Sequence, residues 1–118
     1  MRKRIVVAED DPGVSDALQM ILEDAGYEVE TMVHGIPVYQ LHNPLPELLL
    51  LDIWLGNTDG REICKFLKGQ GMTQDLPIIL LSAQREIKAI AKEVGADNFL
   101  AKPFEIDDLL AVVAQYMG

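Results

Sequence analysis

Leu48-Leu49-Leu50-Leu51-Asp52 is the stretch on which the fold of this chain turns. Leucine by itself does not choose between helix and strand. The run is short, however, and breakers flank it: Pro44 and Pro46 before, Gly56-Asn57-Thr58-Asp59-Gly60 after. A short, continuous apolar run between breakers reads as a strand buried on both faces. Strands of that kind belong to parallel sheets covered by helices on both sides. Asp52 closes the run at a position where burying a charge is costly, which makes it a candidate for chemistry as well as for structure.

Working outward, the same pattern repeats. Ile5-Val6-Val7-Ala8 is a buried strand that ends in Glu9-Asp10-Asp11. Asp11 suits a helix N-cap and Pro12 the first helical position. A helical stripe then runs through Val14, Ala17, Leu18, Ile21, Leu22 and Ala25, and Gly26 stops it. Tyr27, Val29, Thr31 and Val33 alternate with Glu28, Glu30 and Met32, as in a strand with one wetter face. Gly35 to Pro46 is the least regular segment. Val38, Tyr39 and Leu41 suggest a short helix between Pro37 and Asn43-Pro44. Arg61 to Lys68 is a helix with Ile63, Phe66 and Leu67 on one side, ended by Gly69 and Gly71. Pro77 to Ser82 is a third buried strand of the same type. A helix follows through Ile87, Ile90, Ala91 and Val94, closed by Gly95. Phe99-Leu100-Ala101 is a short strand leading to Lys102-Pro103, and Ile106, Leu109, Leu110, Val113 and Met117 mark a final helix. Five strands alternating with five helices imply βαβ units. Right-handed crossovers then imply an α/β, doubly wound parallel sheet.

Composition narrows the function. The chain has 118 residues, which suits one domain over 1–118. It is 49% hydrophobic, too apolar for a disordered tail. Nineteen acids against ten Lys and Arg give a net charge of −9. That field repels phosphate backbones, so the domain alone is not expected to bind nucleic acid. One cysteine provides neither a disulfide framework nor a zinc cluster. The expectation is a reduced, cytoplasmic protein beginning natively at Met1, with no signal peptide and no membrane span. Cys64 reads as a small core residue of the third helix. His34 and His42 read as solvated loop histidines, and Arg2-Lys3-Arg4 as a solvated start to the first strand.

In open α/β sheets, sites form beyond the carboxyl ends of the strands. On that rim the sequence places Glu9, Asp10 and Asp11 after the first strand, Asp52 after the third, Ser82 after the fourth and Lys102 after the fifth. An all-oxygen carboxylate cluster without His or Cys suits a hard cation, and carboxylates with waters and a phosphate are the Mg²⁺ pattern. A carboxylate beside Mg²⁺ can attack phosphorus and become an aspartyl phosphate, with a lysine and a hydroxyl to hold the phosphoryl oxygens. Taken singly, Asp11 is accounted for as a cap, Ser82 as a loop hydroxyl and Lys102 as a surface charge. Their convergence on one rim carries the reading.

Five motifs stand in order along the chain: Ile5-Val6-Val7-Ala8-Glu9-Asp10-Asp11, Leu50-Leu51-Asp52-Ile53, Leu80-Leu81-Ser82-Ala83, Gly95-Ala96-Asp97-Asn98-Phe99 and Lys102-Pro103-Phe104. In this order and spacing the chain resembles a response-regulator receiver domain of two-component signalling, over essentially all its length. The resemblance implies a flavodoxin-like sheet with strand order 2-1-3-4-5. It implies that Asp52 is the phospho-acceptor for a histidine kinase or phosphotransfer protein. It implies Mg²⁺ held by Asp10, Asp52 and the backbone carbonyl of Trp54, with Glu9 acting through water. Ser82 and Lys102 would engage the phosphoryl group, Phe99 would be the switch aromatic, and Lys102-Pro103 would be cis. The face made by the fourth helix, fifth strand and fifth helix would meet a downstream effector, or a second copy in a homodimer.

The chain departs from the family pattern at Gly56, where a proline is common, and in the proline-broken Gly35–Pro46 segment. Trp54 and Gln84, each two residues beyond a site residue, stand at positions that modulate acyl-phosphate lifetime in the family, and Trp54 is expected to shield it from water. The expected activity is that of a switch rather than of a turnover enzyme. A degenerate receiver, acting as an unphosphorylated interaction module, is opposed by the joint presence of Glu9, Asp10, Asp52, Ser82 and Lys102. A nucleotide binder would need a Gly-rich phosphate loop that is absent. An Asp-nucleophile phosphatase would carry its nucleophile on the first strand and need a cap domain.

Overall fold

The computed structural model describes residues 2–117. Five parallel strands form one sheet: β1 (Arg4–Ala8), β2 (Glu28–Met32), β3 (Leu48–Asp52), β4 (Ile78–Ser82) and β5 (Asn98–Ala101). Their order is β2-β1-β3-β4-β5, the flavodoxin-like arrangement expected. The helices are α1 (Pro12–Asp24), α2 (Gly35–Tyr39), α3 (Gly60–Lys68), α4 (Ile87–Val94) and α5 (Ile106–Met117). None is long and apolar enough to cross a membrane. The expectation of a native start at Met1 lies outside the described residues.

The leucine run shows why such a sheet needs unbroken apolar sequence. Leu49 and Leu51 face a core with Val6, Ala8, Ile78 and Leu80, closed by α2, α3 and α4. Leu48 and Leu50 face the opposite core with Ile5, Val7, Ile79 and Leu81, closed by α1 and α5. Successive side chains alternate faces, so a strand covered twice must be apolar at every position. All five residues of β3 are buried.

The helix ends follow the sequence signals. Asp11 caps α1, its carboxylate accepting from the backbone N–H groups of Gly13 and Val14, with Pro12 at the first position. Gly95 ends α4 in the left-handed conformation at φ 81°, which a residue with a Cβ adopts only with strain.

Three local features differ from the expectation. Pro37 lies inside α2 rather than before it, because the first-turn N–H groups of a helix have no intrahelical partner and a proline there loses nothing. The helix is five residues long, short as expected. The segment read as a Gly56–Gly60 loop is part of a small antiparallel hairpin, with Trp54 opposite Asp59 and Leu55 opposite Thr58. Thr31 in β2 and Val33 just beyond it do not reach the core. Val29 packs on the α1 and α5 face and Met32 on the α2 face, and β2 is an edge strand whose later positions on Val29's face stay exposed. The Lys102-Pro103 peptide is cis as expected, and Asn43-Pro44 is cis as well.

Gly60 joins the hairpin to α3 and presses on the end of β3. A Cβ at Gly60 would lie 2.2 Å from the carbonyl oxygen of Asp52. That obstacle is backbone and cannot rotate away. Gly60→Ala should therefore destabilise the protein by about 2 kcal/mol or more in urea unfolding. A loss below about 0.5 kcal/mol would contradict the packing described.

Cys64 is fully buried on α3, its Sγ 3.7 Å from the carbonyl oxygen of Val94. Burial pushes its thiol up to about 11. The native protein should resist iodoacetamide at pH 8, where the unfolded protein is alkylated within minutes. Mass spectrometry with and without denaturant reads the difference.

Candidate functional site

Three strands, β1, β3 and β5, hand the chain to the same rim through a backbone hydrogen bond one step beyond the ladder. The N–H of Glu9 donates to the carbonyl of Met32 on β2 (3.0 Å), that of Ile53 to Leu81 (3.1 Å), and that of Lys102 to Ser82 (2.8 Å). The site is thus fixed by the sheet rather than by free loops. It lies between the ends of β1 and β3, where the strand order reverses.

Carboxylate oxygens of Glu9, Asp10 and Asp52 come within 4.8 Å of one another. Glu9 is 1% exposed and Asp52 9%, whereas Asp10 is exposed. The Lys102 ammonium sits between two of them. It donates to Asp52 Oδ2 at 2.9 Å and to Glu9 Oε1. Backbone donors hold three more of the oxygens: Asp11 N–H to Glu9 Oε2 (3.2 Å), Trp54 N–H to Asp52 Oδ1 (3.2 Å) and Gly56 N–H to Asp10 Oδ2 (3.1 Å). Ser82 is 5% exposed, and its Oγ accepts from the N–H of Gln84 at 2.9 Å. Its hydroxyl proton therefore remains free to donate.

The balance of charge in this cluster is unfavourable as it stands. Burial, and next the hydrogen bond to Asp52, push the Glu9 carboxyl from 4.5 up to about 7. Lys102 opposes the shift without cancelling it, because one ammonium serves two carboxylates. Burial pulls Lys102 down, but its hydrogen bonds to Glu9 and Asp52 win and raise it. The donors are all oxygens, with more negative charge than the one lysine neutralises, which fits a small hard divalent cation.

Of the residues singled out in the sequence, Glu9, Asp10, Asp52, Trp54, Ser82 and Lys102 line one cleft, together with Asp11, Ala83 and Gln84. Phe99 stands apart on β5, half-buried against the core of α2, α3 and α4. The sequence reading did not identify the backbone donors at Gly56 and Gln84, nor the group Asp59 and Arg61. Asp59 caps α3 and holds the Arg61 guanidinium through two oxygens. The Arg61 hydrogen bonds keep its carboxyl below the usual range. Backbone donors have no sequence signature. Asp59 two residues before Arg61 is also too common a spacing to signal an ion pair.

The chain belongs to the response regulator receiver domain family, whose model matches residues 5–114. It is 39% identical over 113 residues to the DNA-binding dual master transcriptional regulator RpaA of Synechocystis, covering 93% of this chain and 47% of that protein. It is 35% identical over 120 residues to the phosphate regulon transcriptional regulatory protein PhoB of Escherichia coli, covering 99% of this chain and 52% of that one. The chain spans about half the length of these relatives. A response regulator from Chloroflexus aurantiacus, solved by crystallography, superposes with a TM-score of 0.91 at 34% identity. That match covers 99% of this chain and 98% of the other.

The buried Glu9 gives the site a pH signature. Its folded value lies above its unfolded one, so between about 4.5 and about 7 the native state binds more protons than the unfolded chain. Stability from this group is full below that window and is lost as pH rises through it. In chelator-containing buffer, the stability of Glu9→Gln relative to wild type should therefore increase from pH 4.5 to pH 7 and level off above. Parallel curves for the two proteins would overturn the assignment.

Proposed function

We propose that this receiver domain is a phospho-accepting switch in which Asp52 takes a phosphoryl group from a phosphohistidine of a histidine kinase or phosphotransfer protein. The observation that carries the reading is the Lys102 ammonium set between Glu9 and Asp52 with Asp10 alongside. In this reading an Asp52 oxygen forms a bond to phosphorus as the bond from phosphorus to the donor imidazole nitrogen breaks. The imidazole keeps the electron pair and regains a proton from solvent.

The chain's own groups prepare for that transfer. The Trp54 N–H and Lys102 orient the Asp52 carboxylate. Lys102 and the free hydroxyl proton of Ser82 are the donors available to phosphoryl oxygens. Asp10, Asp52 and the Trp54 carbonyl would hold Mg²⁺, with Glu9 acting through water. When bound, the ion neutralises charge on the transferring group. The added phosphoryl charge shifts the domain only as far as the two conformations differ in how they meet it. The response is read at the face of α4, β5 and α5 by an effector, or by a second copy.

On this reading the chain is a signalling switch rather than a turnover enzyme, and it works in the cytoplasm beside its kinase. Nucleic-acid binding would fall to an effector and not to this acidic domain. A degenerate receiver would lack one or more of Glu9, Asp10, Asp52, Ser82 and Lys102, and all five are present.

Incubation with acetyl phosphate and Mg²⁺, followed by intact mass, should add one phosphoryl group to the wild type and none to Asp52→Asn. Omission of Mg²⁺, or chelation, should suppress the gain. No gain in the wild type, or an undiminished gain in the variant, would sink the reading. Millimolar Mg²⁺ should also raise the thermal midpoint of the wild type through preferential binding to the native state. That rise should shrink in Asp10→Asn.

A further inference from the structure

The hairpin that borders the acidic cleft is held by a contact the site itself does not require. Trp54 and Asp59 face each other across the hairpin. The Asp59 carboxylate accepts from Arg61 Nε at 3.0 and 3.1 Å and from Arg61 Nη2 at 2.8 Å. So braced, the guanidinium lies over the Trp54 ring, with Cζ 5.5 Å from the ring centroid. Trp54 lines the cleft beside Asp52, Ser82 and Lys102, yet it is 50% exposed, and apolar burial alone does not fix the ring. Behind the ring, the same hairpin donates the Trp54 N–H to Asp52 and the Gly56 N–H to Asp10.

We infer that Arg61 is a positioning residue: braced by Asp59, it clamps the Trp54 ring at the mouth of the cleft and thereby slows hydrolysis of the phosphoryl group on Asp52. The inference rests on the proposed function. In the hydrolysis, a water oxygen bonds to phosphorus and the bond from phosphorus to the Asp52 oxygen breaks. The electron pair returns to the carboxylate, and the water's proton passes to solvent. The water must approach phosphorus from the side away from Asp52, which is the open mouth of the cleft. A fixed indole there occupies part of the approach, and a freed one leaves it open for part of the time. A planar guanidinium can bind the carboxylate through two nitrogens and stack on a ring at once, which a lysine ammonium does poorly.

Trp54 is the chain's single tryptophan, so its fluorescence reports this ring alone. Arg61→Gln should raise acrylamide quenching and lower the anisotropy of Trp54 in the unphosphorylated protein. After acetyl phosphate is removed, it should shorten the phosphoryl half-life by on the order of two- to five-fold, the scale of a partly exposed cation–π contact. Asp59→Asn keeps a capping oxygen for α3 while loosening the brace, and should shift both readouts in the same direction. Arg61→Lys should fall between. In a Trp54→Ala background, Arg61→Gln should have no further effect on the half-life, because Arg61 acts through the ring.

Thermal melting establishes that each variant is folded. If the wild type takes no phosphoryl group, the proposed function fails and the effect on lifetime fails with it, while quenching still shows whether the clamp exists. If the wild type is phosphorylated, the inference alone is overturned by an unchanged or longer half-life in Arg61→Gln, by an unmoved Trp54 signal, or by an equal Arg61→Gln effect without the ring.

Discussion

The Lys102 ammonium between Glu9 and Asp52 is the contact on which the rest of the site depends. It joins residues from the ends of three strands, β1, β3 and β5, on one rim. Glu9 is almost wholly enclosed, and a carboxylate in such a place is tolerated only when it is hydrogen-bonded and paired. Removing either partner of a buried ion pair leaves the other uncompensated, which costs far more than the pair itself contributes. The arrangement is therefore intolerant of piecemeal change. Its residual negative charge, one cation against two buried carboxylates and a third nearby, is also what suits it to a divalent ion.

A parallel sheet makes this convergence unavoidable. Since all five strands run the same way, every strand exits on the same edge, and whatever polar residue ends an apolar run is delivered there. The reversal of direction between β1 and β3 keeps helices off that part of the rim. Glu9 and Asp52 are thus neighbours although they stand 43 positions apart in the sequence, and the ladder bonds beyond β1, β3 and β5 set their spacing. The net charge of −9 divides accordingly. Glu28 and Glu30 are solvated on an edge strand, and Asp107 and Asp108 occupy the first turn of α5, where acids oppose the helix dipole. Glu9, Asp10 and Asp52 are instead held against one another by the fold.

Most of this was legible in the sequence, for physical reasons. Leu48 to Leu51 announces burial on both faces because no polar residue interrupts it, and Asp11-Pro12 announces a helix start because both the cap and the fixed φ act locally. What remained hidden rests on non-local contact or on backbone. Gly60 is required by the carbonyl of Asp52, eight positions away, and a glycine in a loop looks the same whether it is crowded or free. In the sequence Pro37 looks like a boundary because proline usually is one, whereas the first turn of α2 has N–H groups to spare. Thr31 and Val33 have the alternation of a half-buried strand, but alternation does not say that β2 is an edge strand, and both positions are exposed there. The Arg61–Asp59 pair and its contact with Trp54 depend on a hairpin whose arms are two residues each, too short for any periodicity to show.

The parts of the site differ in how firmly they are held, and that difference assigns them different tasks. Glu9, Asp52 and the backbone of Lys102 are tied to the sheet by ladder bonds, and Asp10 is tied through Gly56 to the hairpin. The Ser82 hydroxyl has a single partner, Gln84 N–H, and Phe99 is only half-buried at the start of β5. In the proposed function a phosphoryl group on Asp52 offers Lys102 more negative charge than the carboxylate did, and it offers Ser82 an acceptor it now lacks. The firmly held groups cannot answer by moving. The response falls to the Ser82 loop before α4 and to the Lys102 side chain between β5 and α5, and these border the same face of the domain. A rigid rim that gathers charge, next to a lightly held hydroxyl and an ammonium that can exchange a carboxylate for a phosphoryl oxygen, is the minimum a charge-driven switch needs in order to convert a local event into a change that a partner can read.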